Sequence, residues 1–177
     1  MTKTQAAHST IAQAEHVLKD VYLPRITRCV EVLSTQQIWW RPNKASNSVG
    51  NLVLHLEGNV RQWIISGLGG ASDTRNRDQE FSEAGPRPRR ELIARLQKTV
   101  GEACRIVRKL NIESLERTYS IQKFQVTGYE AVFHVAEHFS HHAGQIILLT
   151  KMLTGSDLKF TNLPGGKGKK AGKLPVW

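Results

Sequence analysis

HVAEHFSHHAGQI, residues 134–146, decides how this chain is read. It holds His134, His138, His141 and His142, four of the seven histidines in 177 residues. Residues four apart on a helix share one face, and both His134/His138 and His138/His142 have that spacing. On a wheel of 100° per residue with His134 at zero, His138 falls at about 40°, His142 at about 80°, His141 at about 340° and Gln145 at about 20°. Leu148 and Leu149 continue the stripe. A solvated face would interleave Lys and Glu instead. Burying several unpaired imidazoles is costly, and metal coordination is one way to satisfy them. His141 and His142 are adjacent, so they cannot point equally well at one ion. Spacing alone leaves the two His pairs as alternatives.

The helix carrying these histidines starts at Thr127, a capping residue with Glu130 three positions on, and runs to Leu153, ahead of Gly155. Three other helical segments lie upstream. Residues 6–33 carry Ile11, Ala14, Leu18, Val21, Ile26, Val30 and Leu33 at helical spacing, with a kink expected near Pro24. Ser46 or Asn47 is the expected cap of a second helix ending near Ser66. Its apolar stripe is Val49, Leu52, Val53, Leu56, Val60, Trp63 and Ile64, with His55 at the border. Residues 88–110 form a third, through Leu92, Leu96, Val100, Cys104 and Val107. The connector 34–46, with Trp39 and Trp40, is expected to cap the core. Residues 67–86 read as a long polar loop of a kind that is often functional. Tyr119, Ile121, Phe124 and Val126 point to a short hairpin within 111–126. Four long helices and no sizeable sheet predict an all-α four-helix bundle over residues 1–155, followed by a Gly/Lys-rich tail over 156–177.

Metal sites in bundles are built from facing helices. His55 is the best third ligand, because His8 and His16 sit among polar neighbours. Three imidazoles with an open position are the catalytic arrangement for zinc, and suit nickel equally. Asn59 and Gln145 can orient a ligand or substrate. Glu57 follows His55 by two and should point away, Glu137 lies beside the stripe, and Arg61 is a weak candidate for holding an anion.

The net charge is +10. Part of it lies in Lys167, Lys169, Lys170 and Lys173, and part in Arg87, Arg89 and Arg90. No nucleic-acid-binding motif accompanies it, so nucleic acid is a poor expectation. Cys29 and Cys104 are too few for a disulfide scaffold and are expected buried and reduced. No run of 18 apolar residues is present, so no membrane span is expected. With no signal-peptide pattern at the N-terminus, the cytoplasm is the default location.

NSVGNLVLHLEGN (residues 47–59) followed by EHFSHHAGQI (residues 137–146) resembles the DinB-like superfamily, which includes the YfiT-like proteins and the bacillithiol and mycothiol S-transferases. The resemblance covers residues 5–154 and selects His55, His138 and His142 as the ligands of a zinc or nickel ion. It leaves His134 and His141 beside them as substrate-side neighbours. It implies an up-down-down-up bundle, a homodimer, and a metal-dependent thiol S-transferase or hydrolase acting on a small molecule, with a low-molecular-weight thiol as co-substrate. It names no catalytic residue. The alternatives are a non-catalytic metal-binding or stress-related bundle, or a basic nucleic-acid-associated protein.

Overall fold

The computed structural model describes residues 2–160. The first long helix is continuous but changes winding. α1 (Lys3–Glu15) passes into a wide π-type stretch (His16–Tyr22) and then α2 (Leu23–Val32). The expected kink at Pro24 is absent as a break. A proline lacks the N–H and crowds the carbonyl four residues back. The wide turns just before it absorb that conflict, and Pro24 sits in the first turn of α2, where its missing donor is tolerated. A short helix, α3 (Thr35–Ile38), leads to Trp39, which packs on the core while Trp40 is exposed. Of the two tryptophans, one caps the core.

The second long helix is α4 (Val49–Val60), prolonged by another wide stretch (Arg61–Leu68). Its cap is Ser48, not Ser46 or Asn47. Ser48 Oγ accepts from Asn51 N at 3.1 Å, and Asn51 Oδ1 accepts from Ser48 N at 3.2 Å. A reciprocal pair satisfies two orphan donors at once, which a lone Ser or Asn cannot do. α5 (Arg77–Ser82) lies inside the segment expected to be loop. α6 (Arg89–Val107), α7 (Ile112–Glu116) and an antiparallel hairpin follow, with β1 (Thr118–Ile121) pairing with β2 (Phe124–Thr127). α8 (Gly128–Thr154) completes the chain's helices among the described residues. Its capping box is Thr127 with Glu130, and Gly155 ends it at φ +64°, a left-handed conformation that glycine adopts without penalty.

The long helices enclose one core in which Ile26, Val30, Leu56, Ile64, Leu96, Val100, Phe139 and Ile146 are essentially inaccessible. α4 packs against both α6 and α8, and α2 does the same. No extensive contact joins α2 to α4 or α6 to α8 among the described residues. The first and second long helices therefore sit at diagonal corners of an all-α bundle. α5 lies on the outer side of α4, and in consequence every residue of α4 is buried. The apolar stripe expected for this helix is thus a helix buried all round, which accounts for Leu54 lying outside the stripe yet being shielded. Cys29 and Cys104 are buried thiols, and desolvation raises both, Cys104 to about 11. Of the basic tail, the four lysines from Lys167 onward lie outside the described residues.

Candidate metal centre

His55 projects from the middle of α4 and His138 and His142 from successive turns of α8, across the interface where these two helices pack. One ring nitrogen from each lies within 4.8 Å of the other two, so the three can hold a metal ion. His138 Nε2 stands 2.8 Å from His55 Nε2. The His142 ring meets the His55 ring edge-on at 5.0 Å between centroids and the His138 ring at 4.4 Å. Burial above all, and then the neighbouring imidazoles and Arg75, holds His138 down to about 3. Burial also takes His142 down to about 4. Both rings are therefore neutral at physiological pH, the state in which an imidazole offers a lone pair.

The Nδ1 atoms of His142 and His55 are engaged by other groups. His142 Nδ1 lies 2.7 Å from Gln145 Oε1, which can only accept, so Nδ1 carries the proton and Nε2 keeps its lone pair. His55 Nδ1 lies 2.9 Å from Glu80 Oε2. Glu80 is 8% exposed, and neither Glu57 nor Glu137, the two acids noted near the histidines in the sequence, takes its role. Glu57 faces α6, where it accepts from Arg95 Nη2 at 2.8 Å and Thr99 Oγ1 at 3.1 Å. Glu137 is exposed. Arg61 pairs with Glu57 at 3.7 Å and lies away from the histidines. Arg75 holds Glu80 through two bonds, Nε to Oε1 at 2.7 Å and Nη2 to Oε2 at 2.8 Å. Burial pushes the Glu80 carboxyl up, but the bonds from Arg75 and His55 outweigh that and keep it below its usual value.

His134 stands outside the convergent three. Its Nε2 accepts from Asn59 Nδ2 at 3.2 Å, and its ring lies 3.9 Å from the Trp63 ring. Burial lowers its pKa. His141 is exposed and touches the centre through the edge of the His142 ring. Asn59 thus meets His134 and not a member of the convergent three, whereas Gln145 meets His142 directly.

A cavity of about 680 Å³ opens beside His55, His134 and His138. Trp63, Phe124 and Val126 give it an apolar wall, and Gln62, Gln122 and Arg77 give it polar edges. Trp63 Nε1 and Asn59 Oδ1, on two of its lining residues, are buried without a hydrogen-bond partner. Concave pockets of this size are the usual form of small-molecule sites.

Sequence reasoning missed Glu80, Arg75, Gly58 and the hairpin's share of the cavity wall. Glu80 is one acid among several in a polar segment, and nothing in its spacing ties it to a histidine 25 residues earlier. Gly58, three residues after His55 and so on the same face of α4, was the available signal.

The chain matches, over residues 6–167, the model of a family described as "Protein of unknown function (DUF1572)". No curated protein matches it. Among solved structures, it resembles a DinB-like protein from Bacillus cereus ATCC 10987 with a TM-score of 0.61 at 12% identity, over 76% of this chain and 87% of that one. At that identity the likeness concerns the fold. The chain belongs to the DUF1572 family and has the all-α fold of the DinB-like proteins.

Proposed function

We propose that this protein binds a divalent cation, zinc or nickel, through His55, His138 and His142, and uses it to act on a small molecule. The supporting observation is the convergence of three neutral imidazoles from two packed helices beside a cavity. The donor set fits the ion: nitrogen ligands suit zinc and nickel, and the lowered pKa values of His138 and His142 leave both lone pairs free near pH 7. When bound, such an ion supplies Lewis acidity and activates a thiol or a water molecule, the chemistry of thiol S-transfer or hydrolysis. The chain's own residues do the rest. Gln145 sets the tautomer of His142. Trp63, Phe124 and Val126 exclude water around an apolar part of the substrate. Asn59 Nδ2 donates to His134 Nε2 and fixes that ring on the cavity wall. A low-molecular-weight thiol is the co-substrate of this reading. The reading includes a homodimer. No helix among the described residues is long and apolar enough to cross a membrane.

The test is metal content of untagged protein, followed by consumption of an electrophile in the presence of a thiol. Wild type should carry close to one equivalent, and His138→Ala should carry none. Less than about a tenth of an equivalent, with no rise in melting temperature on adding zinc or nickel, would sink the reading. A metal-loaded protein inert toward every thiol and electrophile pair would leave the non-catalytic alternative in its place.

A further inference from the structure

The segment between Leu68 and Arg89 is built around one contact. From α4, Asn51 reaches outward and its Nδ2 donates to Glu80 O at 2.9 Å and Glu83 O at 2.8 Å, clamping α5 by its backbone. Arg41 Nη2 donates to Phe81 O at 2.7 Å. Asn76 caps α5 by accepting from Gln79 N at 3.1 Å. These bonds hold Glu80 against α4 at Gly58. A Cβ on Gly58 would lie 2.9 Å from Glu80 Cδ, 3.0 Å from Arg75 Nε, and closer still to Glu80 Oε1. The missing side chain is the gap through which the carboxylate reaches His55 Nδ1. Arg75 is also buried, its side chain 3% exposed, and its Nη1 donates to Gln62 Oε1 at 2.9 Å.

A buried ion pair is a poor device for stability, because desolvating two charges cancels most of their attraction. Its cost is repaid where the charge must hold another group. Here that group is His55. Two neighbours approach His55 Nδ1, Glu80 Oε2 at 2.9 Å and Arg75 Nη2 at 3.1 Å. A carboxylate only accepts and a guanidinium only donates, so the two would select opposite tautomers. Arg75 is already bidentate to Glu80, and the shorter contact is to the carboxylate, so Nδ1 carries the proton and Nε2 the lone pair.

We propose that Arg75 and Glu80 are positioning residues for the His55 ligand, delivered by the 69–88 segment as a strap across α4 to fix the His55 tautomer with Nε2 facing His138 and His142. This rests on the metal reading above. Carboxylate partners of ligating histidines typically change metal affinity 10–100-fold when removed.

The experiment measures zinc affinity by chelator competition, well below the melting temperature, for wild type, Glu80→Ala, Glu80→Gln and Arg75→Ala. It also determines the His55 tautomer in metal-free protein by nitrogen-15 NMR. The expected result is the Nδ1–H tautomer in wild type. Affinity should fall at least about 10-fold in Glu80→Ala, with Glu80→Gln, which keeps an acceptor, in between. A loss of thermal stability alone would not move the affinity of the folded protein. Wild type binding one equivalent beside a Glu80→Ala variant of equal affinity overturns this inference alone, as does an Nε2–H tautomer in wild type. A wild type that takes up no zinc overturns the metal reading, and this one with it.

Discussion

Gly58→Ala touches no histidine and adds one methyl group, and it tests the strap more sharply than removing a charge. In an unobstructed helix the change would stabilise by about 1 kcal/mol, the propensity gap between Gly and Ala. Here the new Cβ lands 2.9 Å from Glu80 Cδ and 3.0 Å from Arg75 Nε, against an ordinary contact of 3.4 Å or more, and overlaps Glu80 Oε1. The carboxylate is not a free flexible end that can swing aside, since α5 is clamped through its backbone by Asn51. It must retreat far enough to break the 2.9 Å bond to His55 Nδ1. Hydrogen bonds to charged groups contribute about 1.5–3 kcal/mol each. Losing that bond outweighs the propensity gain and leaves the variant about 0.5–2 kcal/mol less stable. For a chain of this size that is a melting temperature lower by roughly 1–8 °C. Zinc affinity should fall by about 10-fold or more with it. Urea unfolding of the metal-free protein and chelator competition measure the two effects. Gly101→Ala is the control: its Cβ on α6 meets nothing nearer than Arg105 Nη1 at 4.0 Å, so it should stabilise. A Gly58→Ala protein as stable as that control, with wild-type zinc affinity, would refute the reasoning.

Asn51→Ala removes the α4 capping partner, takes this donor from the Glu80 carbonyl and leaves Glu83 O with the 3.5 Å bond from Arg41 Nη2, so it should cost about 2–4 kcal/mol in urea unfolding. Metal-free protein should lose stability as pH falls. His138 and His142 titrate near 3 and 4 when folded but near the ordinary 6.5 when unfolded, so the unfolded chain binds more protons between those values. Stability is then full above pH 6.5 and declines below it, by roughly 1 kcal/mol per pH unit after discounting for the solvent contact of both rings. A flat urea midpoint from pH 7 to pH 5 would contradict this. Phe139→Ala, next to His138 and fully buried, should cost about 3–5 kcal/mol by leaving a cavity between α8 and the core, read by thermal unfolding.

The four long helices were legible because each carries apolar residues at helical period, and α8 most clearly, since its capping box and terminal glycine also mark both ends in the sequence. The histidine spacing on α8 was equally legible, because 3.6 residues per turn puts positions 138 and 142 on one face. His55 could be nominated from its place on an apolar segment, but not its partner. Interactions between elements leave no period. The strap over α4 joins residues 25 positions apart through a carboxylate that looks like any solvated acid. Ser48, not Ser46 or Asn47, begins α4 because Asn51 completes the box while also holding α5, a choice made by packing and not by propensity.

The sequence by itself determined what local periodicity encodes: the long helices, the cap and terminal glycine of the last one, and a row of imidazoles on one of its faces. Tertiary structure decided which of those imidazoles converge, because that depends on how α4 docks on α8. It also decided that Glu80 and Arg75 reach His55 at all. That contact exists because a glycine leaves a gap in one helix and a distant segment folds back to fill it, and no pattern along the chain records the meeting of two surfaces.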